Sequence, residues 1–583
     1  VHNNLELTKT LAETHPAVSQ HGLISGKKWL FALFVQIIIL SSVGIITLIP
    51  RVWLANQLEL VTDEIVYIQA GMVYIPLLEQ ITTSISTSAW SLNYEHPPLV
   101  KLLIGLSIEI NMQVGHPLTT LQAARIPSIV ASIILTTALY WLGRGPFGQL
   151  AAWMAVASLA VSPWLAYFGS LAYLDTTMLM WITLAYLLTW HAIHRPWLYP
   201  ALAICVALGF DSKYMAILIV PAILLFTVYY FYLIRPYLPA PQRPPIPWRW
   251  WLLSTALLPL SFLAADPVLW SQPISHLFRS LQFQWNHSIN GHLSFLAGDA
   301  SFHSPHWAAF YIIGNKISIF ITFPAILFCI VAPIQLICFH LRPQISKTEE
   351  CVRSAFLLIW IGTTSAVLSL LTIVVGSHYI LPLAPPTVMA GAYILTQLVR
   401  YGINRGFRLY TQTPGAKQNS VTNHSTNIRV PRNIQAIGIV VIVGTLVIGP
   451  HLLGLITTPE AEGYTSELSH GENQTLQIHY GGYEQALQWL AKNTQGPQRI
   501  GLVALPQTLT GQDPNVTWFV YSRNIPQRFQ LQEVHPHDKI YPYDYLVWPM
   551  HLIQRDYQLP PGWHVIHSIT GGATTYNYIV APR

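Results

Sequence analysis

Runs of about 18 or more apolar residues, nearly free of charge, recur along the first 455 positions of this 583-residue chain. Each is long enough to cross a hydrocarbon layer about 30 Å thick. Inside hydrocarbon every backbone amide has to find its partner within the chain, so these runs predict helices, and the alternating ten-residue pattern of a membrane barrel is absent. The spans read as 29–50, 97–113, 125–143, 149–168, 171–193, 197–210, 213–234, 250–268, 315–340, 354–375, 379–399 and 433–456. Lys101 and Glu109 interrupt 97–113, which therefore reads as re-entrant or interfacial and leaves about eleven crossings. The first run starts behind Lys27 and Lys28 and shows no small-residue cleavage site, which predicts a retained helix and not a removed signal. Only 9% of residues are charged, where a soluble domain carries about a quarter.

Charge then sets the orientation. With a cytoplasmic N-terminus, 17 of the 30 Lys and Arg fall on the cytoplasmic side, six fall opposite, and the tail holds seven. This is the bias that fixes topology in membrane proteins. It places 1–28 in the cytoplasm, the loops 51–124 and 269–314 on the outer side, and the tail 457–583 with them. The pI near 9.0 would suit nucleic acid, but the basic residues are scattered among short loops, so no nucleic-acid partner is expected. Membrane lipids are the expected surroundings. The four cysteines, Cys205, Cys329, Cys338 and Cys351, fall in or beside apolar runs without metal-ligand spacing. In the tail, GGYEQALQWLAKNT has the period of an amphipathic helix, while RIGLVAL, TWFVYS, YDYLVW and TTYNYIVA are strand-like. A small extracytoplasmic α/β domain is expected at 457–583, behind a transmembrane domain at 29–456.

Ionisable groups at membrane depth are costly, by about 2.5 kcal/mol or more each, and so are usually paired or functional. The outer side gathers Asp63, Glu64, Glu95, His96, Lys101, Arg125, Asp175, Asp211, Lys213, Asp266, Lys316 and His378. Acids and bases in one cavity suit transfer of a sugar from a lipid phosphate to a hydroxyl: a carboxylate takes the acceptor proton and cations stabilise the departing phosphate. Spacing alone leaves other readings open. Asp63 and Glu64 also suit a helix N-terminus, where acids complement the macrodipole, and Lys101 suits a side chain that snorkels to the interface. His292, His303 and His306 share one loop and could suggest metal, and His303 and His306 form half of a zinc motif, but with Pro305 between them and no accompanying Glu, no metal is expected. The sequons at Asn286, Asn473 and Asn515 are expected by chance at this length.

Several stretches taken in order, TDE at 62–64, EHPPLVK at 95–101, LAYLDTTMLMW at 171–181, GFDSKYMAILIVP at 209–221, GHLSFLAGDASFHSPHWAAF at 291–310 leading into GNKIS, and GSHYILPLAPP at 376–386, resemble the polyprenyl-phosphate-dependent glycosyltransferases of the GT-C fold. More narrowly they resemble the protein O-mannosyltransferase-like and aminoarabinose-transferase-like group. The likeness runs over about residues 60 to 390, and the tail resembles that of bacterial members. It implies an all-α polytopic membrane bundle of GT-C type. It also implies inverting transfer of a hexose or pentose from a polyprenyl-phosphate donor to a protein, lipid or glycan acceptor on the outer face of the cell membrane. The first acid of the pair would be the base, which falls on Asp63, with Glu64 positioning the acceptor or the base. His96, Lys101, Arg125, Asp175, Lys213, Lys316 and His378 would line the substrate pocket. No cofactor is implied, and the chain shows no P-loop and no GxGxxG opening a helix. The alternative is a multi-span transporter or flippase of a lipid-linked sugar, against which stands the lack of repeat symmetry.

Overall fold

The computed structural model describes residues 26–458 apart from 62, 86–87, 292–293, 371–375 and 412–431, and residues 463–583 apart from 468, 470–481, 505–525, 539–541 and 572–573. Among the described residues six helical segments are long and apolar enough to cross a membrane: Leu33–Gln57, Thr120–Phe147, Tyr214–Tyr237, Ile319–Leu341, Ile345–Leu370 and Ser377–Tyr401. Shorter apolar helices occupy Gln149–Val161, Leu198–Ser212 and Val443–Thr457. The chain is thus a mostly helical integral membrane protein, with fewer full-length spans than the eleven crossings expected.

Local chemistry explains part of that difference. The run expected as one span at 149–168 is two helices, Gln149–Val161 and Pro163–Phe168, because Pro163 supplies no amide to continue the first and is preorganised to start the second. The carbonyls freed at the break are used. Arg51 is buried in the first long helix, which runs through to Gln57 instead of ending at 50, and its guanidinium donates to Ala160 O at 2.6 Å, Leu159 O at 3.3 Å and Thr47 O at 3.0 Å. A cation on the C-terminal carbonyls of a helix is favourable for the same reason that anions favour the other end.

The segment 97–113, expected to be re-entrant or interfacial, forms a helix, Leu99–Gln113, packed on the helix Glu64–Glu79. Two glycines set their separation. A Cβ built on Gly71 would lie 2.5 Å from Lys101 O and 2.8 Å from Gly105 N, and one on Gly105 would collide with Gly71 O. Backbone against backbone leaves no room to yield. Gly71→Ala is expected to lower stability by about 1–3 kcal/mol, the usual cost of overpacking, although alanine in a free helix gains up to about 1 kcal/mol over glycine. A thermal-denaturation midpoint in detergent that rises in the variant would contradict this packing.

The tail forms a five-stranded sheet in the order 529–534, 498–503, 545–549, 574–582, 563–571, parallel between the first three strands and antiparallel among the last three. This confirms the strands read at RIGLVAL, YDYLVW and TTYNYIVA, while TWFVYS lies outside the described residues. The helix Tyr483–Asn493 packs its Leu487 and Leu490 into a core shared with Ile65, Ile68, Ile104 and Leu121 of the bundle. The Glu59 carboxylate accepts from the Glu484 amide at the start of that helix, adding a helix N-terminal contact to the apolar seam. The sheet domain therefore rests on the helix that follows Asp63, on the helix that carries Lys101 and on the start of Thr120–Phe147.

Candidate active site

Asp63 precedes the helix Glu64–Glu79 in the left-handed conformation, φ +67°. Outside glycine this region favours Asp and Asn, and it persists where the surroundings over-determine it. They do so through Glu64. Its carboxylate is fully buried and makes a two-pronged pair with Arg125, Nε to Oε1 at 2.8 Å and Nη2 to Oε2 at 2.7 Å. It also accepts from the Val61 amide at 2.9 Å and the Ala172 amide at 2.7 Å. Arg125 spends its other N–H groups on the carbonyls of Ala55, Leu58 and Glu59. The five guanidinium N–H groups thus have five acceptors, and the backbone at 55, 58 and 59, like Glu64, is pinned from beneath Asp63.

This gives Arg125 a different place from the expected lining of the substrate pocket: it is saturated below the turn, with no N–H left for a ligand. Glu64 likewise faces Arg125 and two backbone amides. The residue that remains partly exposed is Asp63, and its charge reaches Tyr67, Tyr173, Tyr379, Glu95 and Lys213. Lys213 is buried, paired with Asp175 at 2.7 Å and 4.6 Å from the centre of the Tyr379 ring. Lys213 comes directly after the helix Leu198–Ser212 and Asp175 starts the helix Asp175–Ala192. The pair therefore joins two helix ends on the site side of the bundle. His378 packs between Phe168, Tyr173 and Tyr379, and His96 meets Tyr67 edge-on at 6.1 Å.

Lys101 occupies the first turn of Leu99–Gln113 and reaches back, donating to Asn93 O at 2.8 Å, Asn93 Oδ1 at 3.3 Å and His96 O at 2.7 Å. Its three ammonium hydrogens hold the loop that carries Glu95 and His96, so it braces the site from behind. Lys316, the last residue of Ala308–Lys316, donates to Tyr464 O at 3.0 Å, beside Ser318 and Ile319, whose hydroxyl and amide donate to Glu467. Its described bond runs to the tail. His292 lies outside the described residues, and among the described residues no group of three or more metal-ligating side chains converges.

Sequence reasoning named Glu95 without a role and missed the three tyrosines. Each tyrosine sits next to a residue it did name: Tyr67 is one helical turn past Asp63, Tyr173 is two before Asp175, and Tyr379 follows His378. Spacing of that kind was the available signal. Burial pushes the Glu95 carboxyl up from its ordinary range, opposed by Lys101 and helped by Asp63. A carboxyl raised in the folded state keeps a proton that the unfolded chain releases, so it costs stability increasingly as pH climbs from about 4. Glu95→Gln removes that cost, and its denaturation midpoint should gain on the parent's as pH rises above about 4. A gap independent of pH would contradict the burial of this acid.

Residues 95–258 match the model of a family described as dolichyl-phosphate-mannose-protein mannosyltransferase. The match opens on the EHPP loop and includes His96, Lys101, Arg125, Asp175 and Lys213. A search of curated proteins finds no match. Among solved structures, ArnT from Cupriavidus metallidurans bound to undecaprenyl phosphate aligns at 13% identity and TM-score 0.47, over 94% of this chain and 97% of its own. The apo oligosaccharyltransferase of Archaeoglobus fulgidus aligns at 12% identity and TM-score 0.48, over 88% of this chain and 70% of its own. AglB from Archaeoglobus fulgidus in complex with an inhibitory peptide and a dolichol-phosphate aligns at 11% and 0.47, over 90% and 70%. The family match agrees with the resemblance to polyprenyl-phosphate-dependent glycosyltransferases read in the sequence.

Proposed function

We propose that this protein transfers a single hexose or pentose from a polyprenyl-phosphate donor to an acceptor hydroxyl on the extracytoplasmic face, with Asp63 as the general base. The observation that carries the reading is a partly exposed carboxylate, held in a left-handed turn by a saturated buried pair, with the charge of Lys213 in reach. In the step, Asp63 takes the acceptor proton, and the acceptor oxygen bonds to the anomeric carbon from the side opposite the phosphate. The bond from that carbon to the phosphate oxygen breaks, and polyprenyl phosphate leaves with the electron pair. Inversion follows from the single displacement. Charge building on the leaving phosphate is met by the Lys213 ammonium, in a low-dielectric setting where a fixed charge acts strongly, while His96, whose imidazole burial holds uncharged, and His378 offer ring N–H groups.

Glu64, Arg125 and Lys101 are positioning residues in this scheme, because each acts on the backbone that presents Asp63 or His96. Asp175 orients Lys213 and tempers its charge. Lys316 contributes through the linker to the tail. About eleven crossings, with the tail and the loops 51–124 and 269–314 outside, complete the proposal. The acceptor remains a class: a protein, lipid or glycan hydroxyl.

Membranes containing the protein are incubated with a radiolabelled polyprenyl-phosphate sugar. Label that becomes covalently attached to acceptor is the expected result. Label that only crosses the bilayer, still on its lipid, would replace this reading with a transporter or flippase.

A further inference from the structure

The helix Pro273–Asn290 divides into three faces at 100° per residue. Ile274, Phe278, Leu281, Trp285 and Ile289 fall within about 80° of arc, and all are exposed, Ile274 at 84%. Beside them Ser275, Arg279, Asn286 and Asn290 form an exposed polar flank. The third face meets the protein. Ser280 donates to Tyr94 O at 2.7 Å, Gln284 donates to Glu95 O at 2.8 Å and Phe283 packs edge-on against Tyr94, while from the flank the Arg279 guanidinium reaches over to stack 3.9 Å from the centre of the Tyr94 ring.

The neighbouring chain says what covers the apolar face. Eight residues earlier ends the helix Trp248–Ala265, whose Leu252, Leu253, Leu260 and Leu263 are exposed as on a lipid-facing helix. Trp270, between the two helices, is also exposed, and aromatic residues favour the level where hydrocarbon meets water. A helix with an apolar stripe, a polar flank and tryptophan at the boundary has the pattern of one lying in the membrane plane.

We propose that Pro273–Asn290 lies in the lipid surface on its Ile274–Phe278–Trp285 face and, through Ser280 and Gln284, holds the Tyr94–Glu95 backbone in place. The lipid surface would then be part of the support for the loop carrying Glu95 and His96. The inference stands on packing and exposure and does not require the transferase reading.

The full-length protein, free of native cysteines, is placed in phospholipid nanodiscs with a spin label at Phe278→Cys or, separately, at Asn286→Cys, and Trp285→Cys serves if the first variant does not fold. At 278 the label should be relaxed more strongly by oxygen than by a water-soluble nickel chelate, and at 286 the order should reverse. Nickel access at 278, or access of neither reagent because protein covers the face, overturns the assignment. The coupling is read by hydrogen exchange in a variant with both Phe278→Asp and Trp285→Asp. Amides 90–96 should exchange at least about tenfold faster, as expected of a segment that has lost its support, while those of Thr120–Phe147 stay as in the parent. Unchanged exchange at 90–96 would overturn the claim that the helix holds the loop.

Discussion

Asp63→Asn is expected to cut sugar transfer about a thousandfold, within the range that general-base catalysis supplies, while leaving expression and thermal stability near the parent's. The substitution keeps size and shape and suits the left-handed turn as well as aspartate does, since Asn tolerates φ above zero. The support beneath is also untouched, because Glu64 and Arg125 bond to each other and to backbone groups. What disappears is the capacity to accept a proton. A variant that turns over as the parent does would remove Asp63 from the chemistry, and one that fails to fold would give residue 63 a structural role instead.

Arg125→Met should be the most destabilising single change near the site. It leaves the Glu64 carboxylate buried without its cation, and loss of one partner of a buried pair costs about 3–5 kcal/mol. It also strips donors from three carbonyls at 55, 58 and 59. Adding Glu64→Leu removes the stranded charge, so the double variant should recover part of the denaturation midpoint. Transfer should stay lost in both, because neither holds the turn at Asp63. Full activity in a refolded double variant would show that the pair does not position the base.

Much of this arrangement was legible before any coordinates. Apolar runs of membrane length gave the helices, and acids that are rare elsewhere in the chain marked the turn at 63–64. The pairing was not legible. Asp175 and Lys213 are 38 residues apart and Glu64 and Arg125 are 61 apart, and nothing in a single sequence says which distant cation neutralises which acid. A saturated arginine and a ligand-binding arginine look alike in one dimension. Span boundaries failed for a related reason: the break at Ser162–Pro163 is masked by the continuous hydrophobicity around it, although the proline itself was visible. The brace from Lys101 to Asn93 and His96 was readable only as a snorkelling side chain or a substrate-pocket cation, because a backward hydrogen bond leaves no periodicity.

The central claim is that Asp63 faces the outer compartment together with the donor's phosphate end. It is tested most directly by Asp63→Cys in the otherwise cysteine-free protein, probed with a membrane-impermeant maleimide in sealed vesicles of known orientation. The account predicts labelling from the outer side in right-side-out vesicles and protection in inverted ones. Labelling confined to inverted vesicles would place the carboxylate in the cytoplasm and contradict the account.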